Sequence, residues 1–310
     1  MQRSTTSRSS GDLLADRRYD YAMFAKAEGD LAAAADLLAQ ALEIVPRWAP
    51  AWFALGEVEA ALERREEAVA AFRRALEHDP SDALGAGLAL ARLGAADAAA
   101  AMAPAYIAAL FDQYAPRFDS ALRAGLAYRG PEILLDAVTR VRSGRGQGGT
   151  VGRMLDLGCG TGLAAEIFAA HAGVIDGVDL SPRMVEVARQ KGIYRTLAVG
   201  DLAGFLSQQD AASADLVVAA DVFVYVADLA PSARDSARVL KPGGLLAFTV
   251  ETHGGEGVVL GAGLRYAHAE AVVRAVIVDA GLELLLLEVV STRNEADRPV
   301  PGLVVVAEKG

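Results

Sequence analysis

The sequence predicts an α/β fold, an open sheet of mainly parallel strands wound with helices, preceded by an all-α module of helical hairpins. Three observations predict it. Residues 156–162 read DLGCGTG, set between a strand-like run at 151–155 and a helix-like run at 163–168. Beyond them, short apolar runs alternate with helical patterns as far as residue 280, as parallel strands with crossover helices require. Upstream, a segment recurs at a spacing of 34 residues (80 − 46), each copy closing on a proline, Pro46 and Pro80.

Residues 1–12, MQRSTTSRSSGD, form a polar tail with no apolar leader core, expected to be disordered. The helical module occupies 13–103. Its second unit carries Trp52, Leu55, Gly56, Ala68, Phe72, Ala75 and Pro80 at tetratricopeptide (TPR) spacings, so small residues let paired helices approach while aromatic ones fill the gaps. The first unit is degenerate, with Arg18 and Tyr21-Ala22 at the places of the signature Trp and Leu-Gly. Two units are fewer than a free-standing solenoid uses, and helices at 82–93 and 95–103 are expected to cap the array or dock it. Residues 104–150 read as a helical lid punctuated by Pro104, Pro116 and Pro131, then a Gly-rich linker.

The core, 151–310, opens with the glycine turn. Glycines admit a ligand close to the backbone, and a helix start offers free N–H groups to it. The pattern also fits a dinucleotide fingerprint. Asp156 argues against a pyrophosphate and suits a cationic ammonium and sulfonium, as in S-adenosylmethionine (SAM); it also suits a carboxylate that pins its own loop. A second strand, 173–179, ends in Asp179-Leu180, and Ser181-Pro182 starts a helix. Asp179 is placed to accept ribose hydroxyls, a role NAD sites share. A third strand near 195–199 ends in Asp201-Leu202, readable as an adenine contact or as a helix N-cap. A fourth, 215–221, delivers Ala220 and Asp221, followed by Phe223 and Tyr225. A fifth, 245–251, runs into Thr252-His253. Arg265-Tyr266-Ala267-His268 precedes a helix, and strands near 283–290 and 302–308 finish the sheet as an antiparallel pair joined by a loop at 293–301.

Composition restricts the partners. The 310 residues carry a formal net charge of −10 and a pI near 5.0, against the cationic surface that nucleic-acid binding needs. Apolar runs are interrupted by charges before they reach bilayer length, so no membrane partner is expected. A single cysteine, Cys159, excludes internal disulfides and a cysteine metal cluster. The expected compartment is cytoplasmic, and no metal is expected.

DLGCGTG, GVDLSPRMVEVA, VGDL, DLVVAADVFVYV and RVLKPGGLLAFTVE follow one another as in Rossmann-like class I SAM-dependent methyltransferases. Together with FDQYAPRFD at 111–119 and the upstream repeats, the chain resembles bacterial TPR-repeat methyltransferases, related to the ubiquinone/menaquinone-biosynthesis type. The resemblance implies SAM as cofactor, with Asp156, Gly158, Gly160, Gly162, Asp179, Leu180, Asp201, Leu202 and Ala220 around it. It implies Tyr114 and Phe118 toward the cofactor's methionine end or the acceptor, where ordinary helix packing is the other reading, and Arg265, Tyr266 and His268 toward the acceptor. From their place at the carboxyl edge of the sheet, Asp221 with Tyr225 after the fourth strand and His253 past the fifth join them. His268, His253 and Asp221 are candidate proton acceptors, with a turn cap the other reading of Asp221 and a helix N-cap that of His268. Methylation of a small molecule at O, N or C is expected, with the TPR module binding a protein partner or a second copy. The alternatives are a TPR scaffold with an inactive SAM-binding domain, or methylation of a protein partner.

Overall fold

The computed structural model describes residues 9–120, 128–295 and 298–310, and divides into two compact units after Tyr106. The first unit contains α1 (Leu13–Ala27), α2 (Leu31–Ile44), α3 (Ala49–Ala61), α4 (Arg65–His78) and α5 (Ala86–Arg92). Both ends of α4 lie 34 residues beyond those of α2 (65 − 31, 78 − 44), so the repeat in sequence is a repeat in structure. The pairing follows from side-chain size. A Cβ on Gly56 would lie 2.7 Å from the Phe72 ring, so only glycine lets α3 and α4 meet there. Trp48 packs on Tyr19 with ring centroids 4.9 Å apart, and the Trp52 indole donates to Pro46 O at 2.8 Å.

Two expectations change in this unit. Residues 1–8 of the expected tail lie outside the described residues. From Ser9 onward the chain is structured: Ser9 and Ser10 hydroxyls donate to Asp16, and Asp12 caps α1 by accepting from the Leu14 and Ala15 N–H groups. The helix expected at 95–103 is reduced to one 3₁₀ turn, Ala98–Ala100. Gly94 ends α5 at φ 65°, Asp97 takes the Ala99 N–H, and a row of alanines brings little apolar surface to bury.

The second unit begins within α6 (Pro104–Tyr114) and continues through α7 (Phe118–Ser120) and α8 (Gly130–Gly144). The sheet is then built from β1 (Val151–Leu157), β2 (Ala172–Asp179), β3 (Thr196–Val199), β4 (Ala214–Ala219) and β5 (Leu240–Thr252), all parallel. Between them run α9 (Leu163–Phe168), α10 (Pro182–Gln190), α11 (Leu202–Ser207) and α12 (Ala230–Val239). After β5 come β6 (Val258–Leu260), β7 (Tyr266–His268), α13 (Glu270–Asp279), β8 (Leu282–Val290), a small hairpin of β9 (Asn294–Glu295) and β10 (Arg298–Pro299), and β11 (Gly302–Lys309). The strand order is β3-β2-β1-β4-β5-β11-β8, with β7 pairing parallel to the end of β5. The expected antiparallel pair is present, with β11 inserted between β5 and β8.

Alternation along the strands fills both faces of this sheet. Leu155, Val217, Leu246, Phe248 and Val305 meet residues of α11, α12 and α13, whereas Met154, Leu216, Ala247, Val304 and Val306 meet α8 and α9. Reversal of strand order between β1 and β4 opens a crevice at the strands' carboxyl ends, where such folds bind ligands. Among the described residues, no helix is long and apolar enough to cross a membrane, and no acidic, histidine or cysteine group is arranged to hold a metal.

Candidate active site

The turn after β1 holds Gly158, Gly160 and Gly162 at φ 62°, 52° and 92°, the left-handed region that glycine tolerates best. A Cβ on Gly158 would lie 2.5 Å from Val222 Cγ2, so the loop packs directly on the segment after β4. Beneath it Asp156 is 1% exposed and accepts the Tyr194 hydroxyl at 2.6 Å. Burial pushes its carboxyl up to about 7; the Tyr194 bond opposes this and the Asp179 charge adds to it. Asp179, at the tip of β2, accepts the Gly160 N–H at 2.9 Å on one oxygen and the Ser181 N–H at 2.8 Å on the other. Burial raises its pKa too, against those two bonds. Cys159 is buried in the same turn, its thiol pushed well up by burial.

Leu180 is half-buried beside Asp179. Asp201 is exposed and caps α11, accepting the Gly204 N–H at 2.7 Å, while Leu202 packs half-buried on the core. Of its two readings, the capping one is what the geometry displays. Ala220 is half-buried at the end of β4.

Next to it, Asp221 is a non-glycine residue at φ 61°. Its N–H donates to Thr249 Oγ1 at 2.9 Å, and its carboxylate accepts from Arg293 at 2.6 Å. Arg293 is 4% exposed and also donates to Glu251 and, at 3.1 Å, to Glu295. Arg265 donates to Glu251 at 2.6 Å and to Glu295. Arg265, expected to face the acceptor, is thus paired with acids of its own chain. Burial raises the pKa of Asp221, the Arg293 charge opposes, and the Glu251 charge adds; burial also raises that of the Tyr225 hydroxyl. Tyr128 is half-buried within the fields of Asp221 and Arg293, with desolvation the largest influence on its raised pKa. Arg293, Glu251, Glu295 and Tyr128 carry no sequence signal beyond a charge or hydroxyl near a strand or helix end.

The histidines differ from expectation. His268 is fully buried in β7; its Nε2 lies 3.2 Å from Ala227 O, and Nδ1 has no hydrogen-bond partner. Burial holds its pKa below the usual value, as a neutral packing histidine requires. His253 uses both ring nitrogens in its own loop: Nδ1 accepts the Gly255 N–H at 3.1 Å and Nε2 lies 3.3 Å from Gly257 O. Tyr266 is 1% exposed, inside the fold.

The lid residues sit beside this crevice. A Cβ on Gly160 would be 3.8 Å from the Phe118 ring, so Phe118 lies over the glycine turn. Phe111 meets Phe118 edge-on at 5.9 Å and Tyr225 at 5.4 Å, joining the glycine turn to the segment after β4. Tyr114, expected on the same face, is 42% exposed with the Arg117 guanidinium 5.3 Å over its ring. Asp112 accepts the Ser181 hydroxyl at 2.6 Å, and Asp119 accepts from the Thr161 hydroxyl and from Lys191 at 3.0 Å.

Comparison with known proteins bears on the family and the fold. Residues 155–248 match the methyltransferase domain family model, and residues 49–82 match the tetratricopeptide repeat model. The ubiquinone biosynthesis O-methyltransferase of Xanthomonas oryzae pv. oryzae (strain PXO99A) is 38% identical over 101 residues, 30% of this chain and 41% of that protein. The human methyltransferase-like protein 27 is 34% identical over 146 residues, 46% of this chain and 57% of that protein. The chain therefore spans between two fifths and three fifths of the length of these curated relatives. Among solved structures, the [4+2]-cyclase SpnF aligns with a TM-score of 0.51 at 23% identity, over 66% of this chain and 95% of that one. The second unit has the Rossmann-like class I methyltransferase fold, and a tetratricopeptide repeat precedes it.

Proposed function

We propose that the chain is a SAM-dependent methyltransferase acting on a small-molecule acceptor at O, N or C. The observation that carries this reading is the acidic cradle: Asp156 lies under the glycine turn and Asp179 beside it, close enough for the Asp179 charge to act on the Asp156 carboxyl. That arrangement repels a pyrophosphate and attracts an ammonium and a sulfonium. Asp179 spends one lone pair of each oxygen on backbone donors and keeps the rest for ribose hydroxyls. Gly158, Gly160 and Gly162 let the backbone approach, Leu180, Leu202 and Ala220 supply apolar contact, and Asp201 keeps one oxygen for an adenine amino group.

SAM, when bound, supplies a methyl group already activated on sulfur. The chain then has to align the acceptor with that methyl and exclude water, a task worth roughly 7–11 kcal/mol. Phe111, Phe118 and Tyr225 form an aromatic wall suited to exclusion. Asp221, with its burial-raised pKa, is the side chain we assign to taking a proton from the acceptor, since His268 is fully buried and His253 is engaged in its own loop. Replacing Asp179 by Ala is expected to weaken binding of S-adenosylhomocysteine, the demethylated product, about 10–100-fold by calorimetry. Unaltered protein that takes up NAD and ignores that product would overturn the reading.

The TPR unit we assign to a protein partner or a second copy. Support comes from α1, where Leu13, Leu14, Tyr21 and Phe24 are 83, 53, 61 and 66% exposed. Light scattering across a concentration series tells the two apart: a mass that stays monomeric rules out self-association.

A further inference from the structure

We infer that the lid clamps the ribose-binding carboxylate: Asp112 and Asp119 are positioning residues for Asp179, so that seating the lid and gripping the sugar are one event. The inference rests on the cofactor reading above. Asp179 is held by two backbone donors, the N–H of Gly160 and the N–H of Ser181. One donor lies in the glycine turn and the other at the N-cap of α10, where the Ser181 hydroxyl also accepts the Met184 N–H at 3.1 Å. Gly160 is one of three left-handed glycines in a turn, and Ser181 opens α10.

The lid fastens both from a single short segment. Asp112 accepts the hydroxyl of Ser181 itself, and at 3.1 Å the N–H of Arg183. Asp119 accepts the hydroxyl of Thr161, the residue after Gly160, and binds Lys191, which also pairs with Glu166 at 2.8 Å. Ser181 is 0% and Thr161 1% exposed, so water has little access to either residue. Phe118, one residue before Asp119, lies over Gly160. One lid carboxylate therefore holds a residue that aims Asp179, and the other holds the residue next to one that does.

The charges point the same way. Asp112 and Asp119 come down onto a cradle that already holds Asp156 and Asp179, and the charge of Asp112 adds to the burial that raises the Asp179 pKa. Lys191 answers Asp119 at the rim, while Arg183 meets Asp112 through its backbone N–H on the carboxylate and its guanidinium on the main-chain carbonyl. A cationic nucleoside supplies charge complementary to the two inner acids, so ligand binding and lid closure favour each other.

A double-mutant cycle on S-adenosylhomocysteine binding tests this, with melting temperatures recorded alongside. In the unaltered background, the pair Asp112→Ala and Asp119→Ala is expected to weaken binding about tenfold. In an Asp179→Ala background the same pair is expected to change it by about twofold or less, because the group it positions is gone. The 2′,3′-dideoxy form of the ligand, lacking the hydroxyls, should be equally insensitive to the pair. Thr161→Ser, which keeps the hydroxyl, retains affinity, and Thr161→Val reproduces Asp119→Ala. Equal losses in both backgrounds would make the lid a general cover and overturn the clamp, as would no loss in either. If the unaltered chain fails to bind S-adenosylhomocysteine at all, the cofactor reading itself falls, which is a different result.

Discussion

Asp156 gives the sharpest test of the acidic cradle. Its carboxyl is 1% exposed and titrates near 7, so below that pH the free protein holds it neutral. A cation at the glycine turn favours the ionised form, and binding must then release the proton. With a pKa of about 7, the ionised fraction is about 3% at pH 5.5 and about half at pH 7. Affinity for S-adenosylhomocysteine should therefore rise about fifteenfold across that interval. The interval stops at pH 7 because α-amino groups titrate near 7.7–8.0. Calorimetry in buffers of different ionisation enthalpy should detect about one proton released at pH 5.5, and Asp156→Asn should flatten both readouts. The same group affects stability. Its folded pKa lies above the ordinary 3.8, so its contribution is full below that value and is lost as pH rises through about 7. A pH-independent affinity in the unaltered protein, or the same slope in Asp156→Asn, would refute the placement of the cation over Asp156.

Two other substitutions probe the frame of the site. Arg293→Met removes the buried guanidinium shared by Asp221, Glu251 and Glu295, and leaves Asp221 without its cation. A loss of about 3–5 kcal/mol is expected from urea unfolding, partly recovered by adding Asp221→Asn; a loss below about 1 kcal/mol would make the pairing incidental. Gly158→Ala places a Cβ 2.5 Å from Val222 Cγ2 at φ 62°, so stability should fall by about 1–2 kcal/mol or more and cofactor affinity with it. Val222→Ala should restore the part due to contact and leave the backbone strain, read as partial recovery of the melting temperature.

Much of this architecture was legible because it is written locally. The 34-residue repeat, the glycine turn and the tips at Asp156 and Asp179 each lie within one short window, and the helix and strand periods there agree with the turn chemistry. The cluster around Arg293 was not legible for the opposite reason. It gathers Asp221, Glu251, Arg265 and Glu295 from separate stretches, and only the pairing of β5 with β7 and β11 brings them together. Arg293 itself reads as a loop residue. His268 shows how a motif misleads: three residues of β7 lie against the end of β5, too short a strand to show alternation, and they carry the histidine inward. Asp201 had two readings in sequence, and its bond to the Gly204 N–H shows the local one. Asp112 and Asp119 are two acids among many until the fold sets them beside Ser181 and Thr161.

The insertion of β11 between β5 and β8 has a kinetic side. Residues 303–307 follow both of their neighbouring strands in the chain, yet they are wholly buried in the sheet interior. A chain emerging from the ribosome must therefore wait with two open strand edges, and β5 and β8 cannot be bridged until this late segment slots between them. Until then those edges are surfaces prone to mispairing with another chain, so the arrival of β11 commits the sheet to its native pairing.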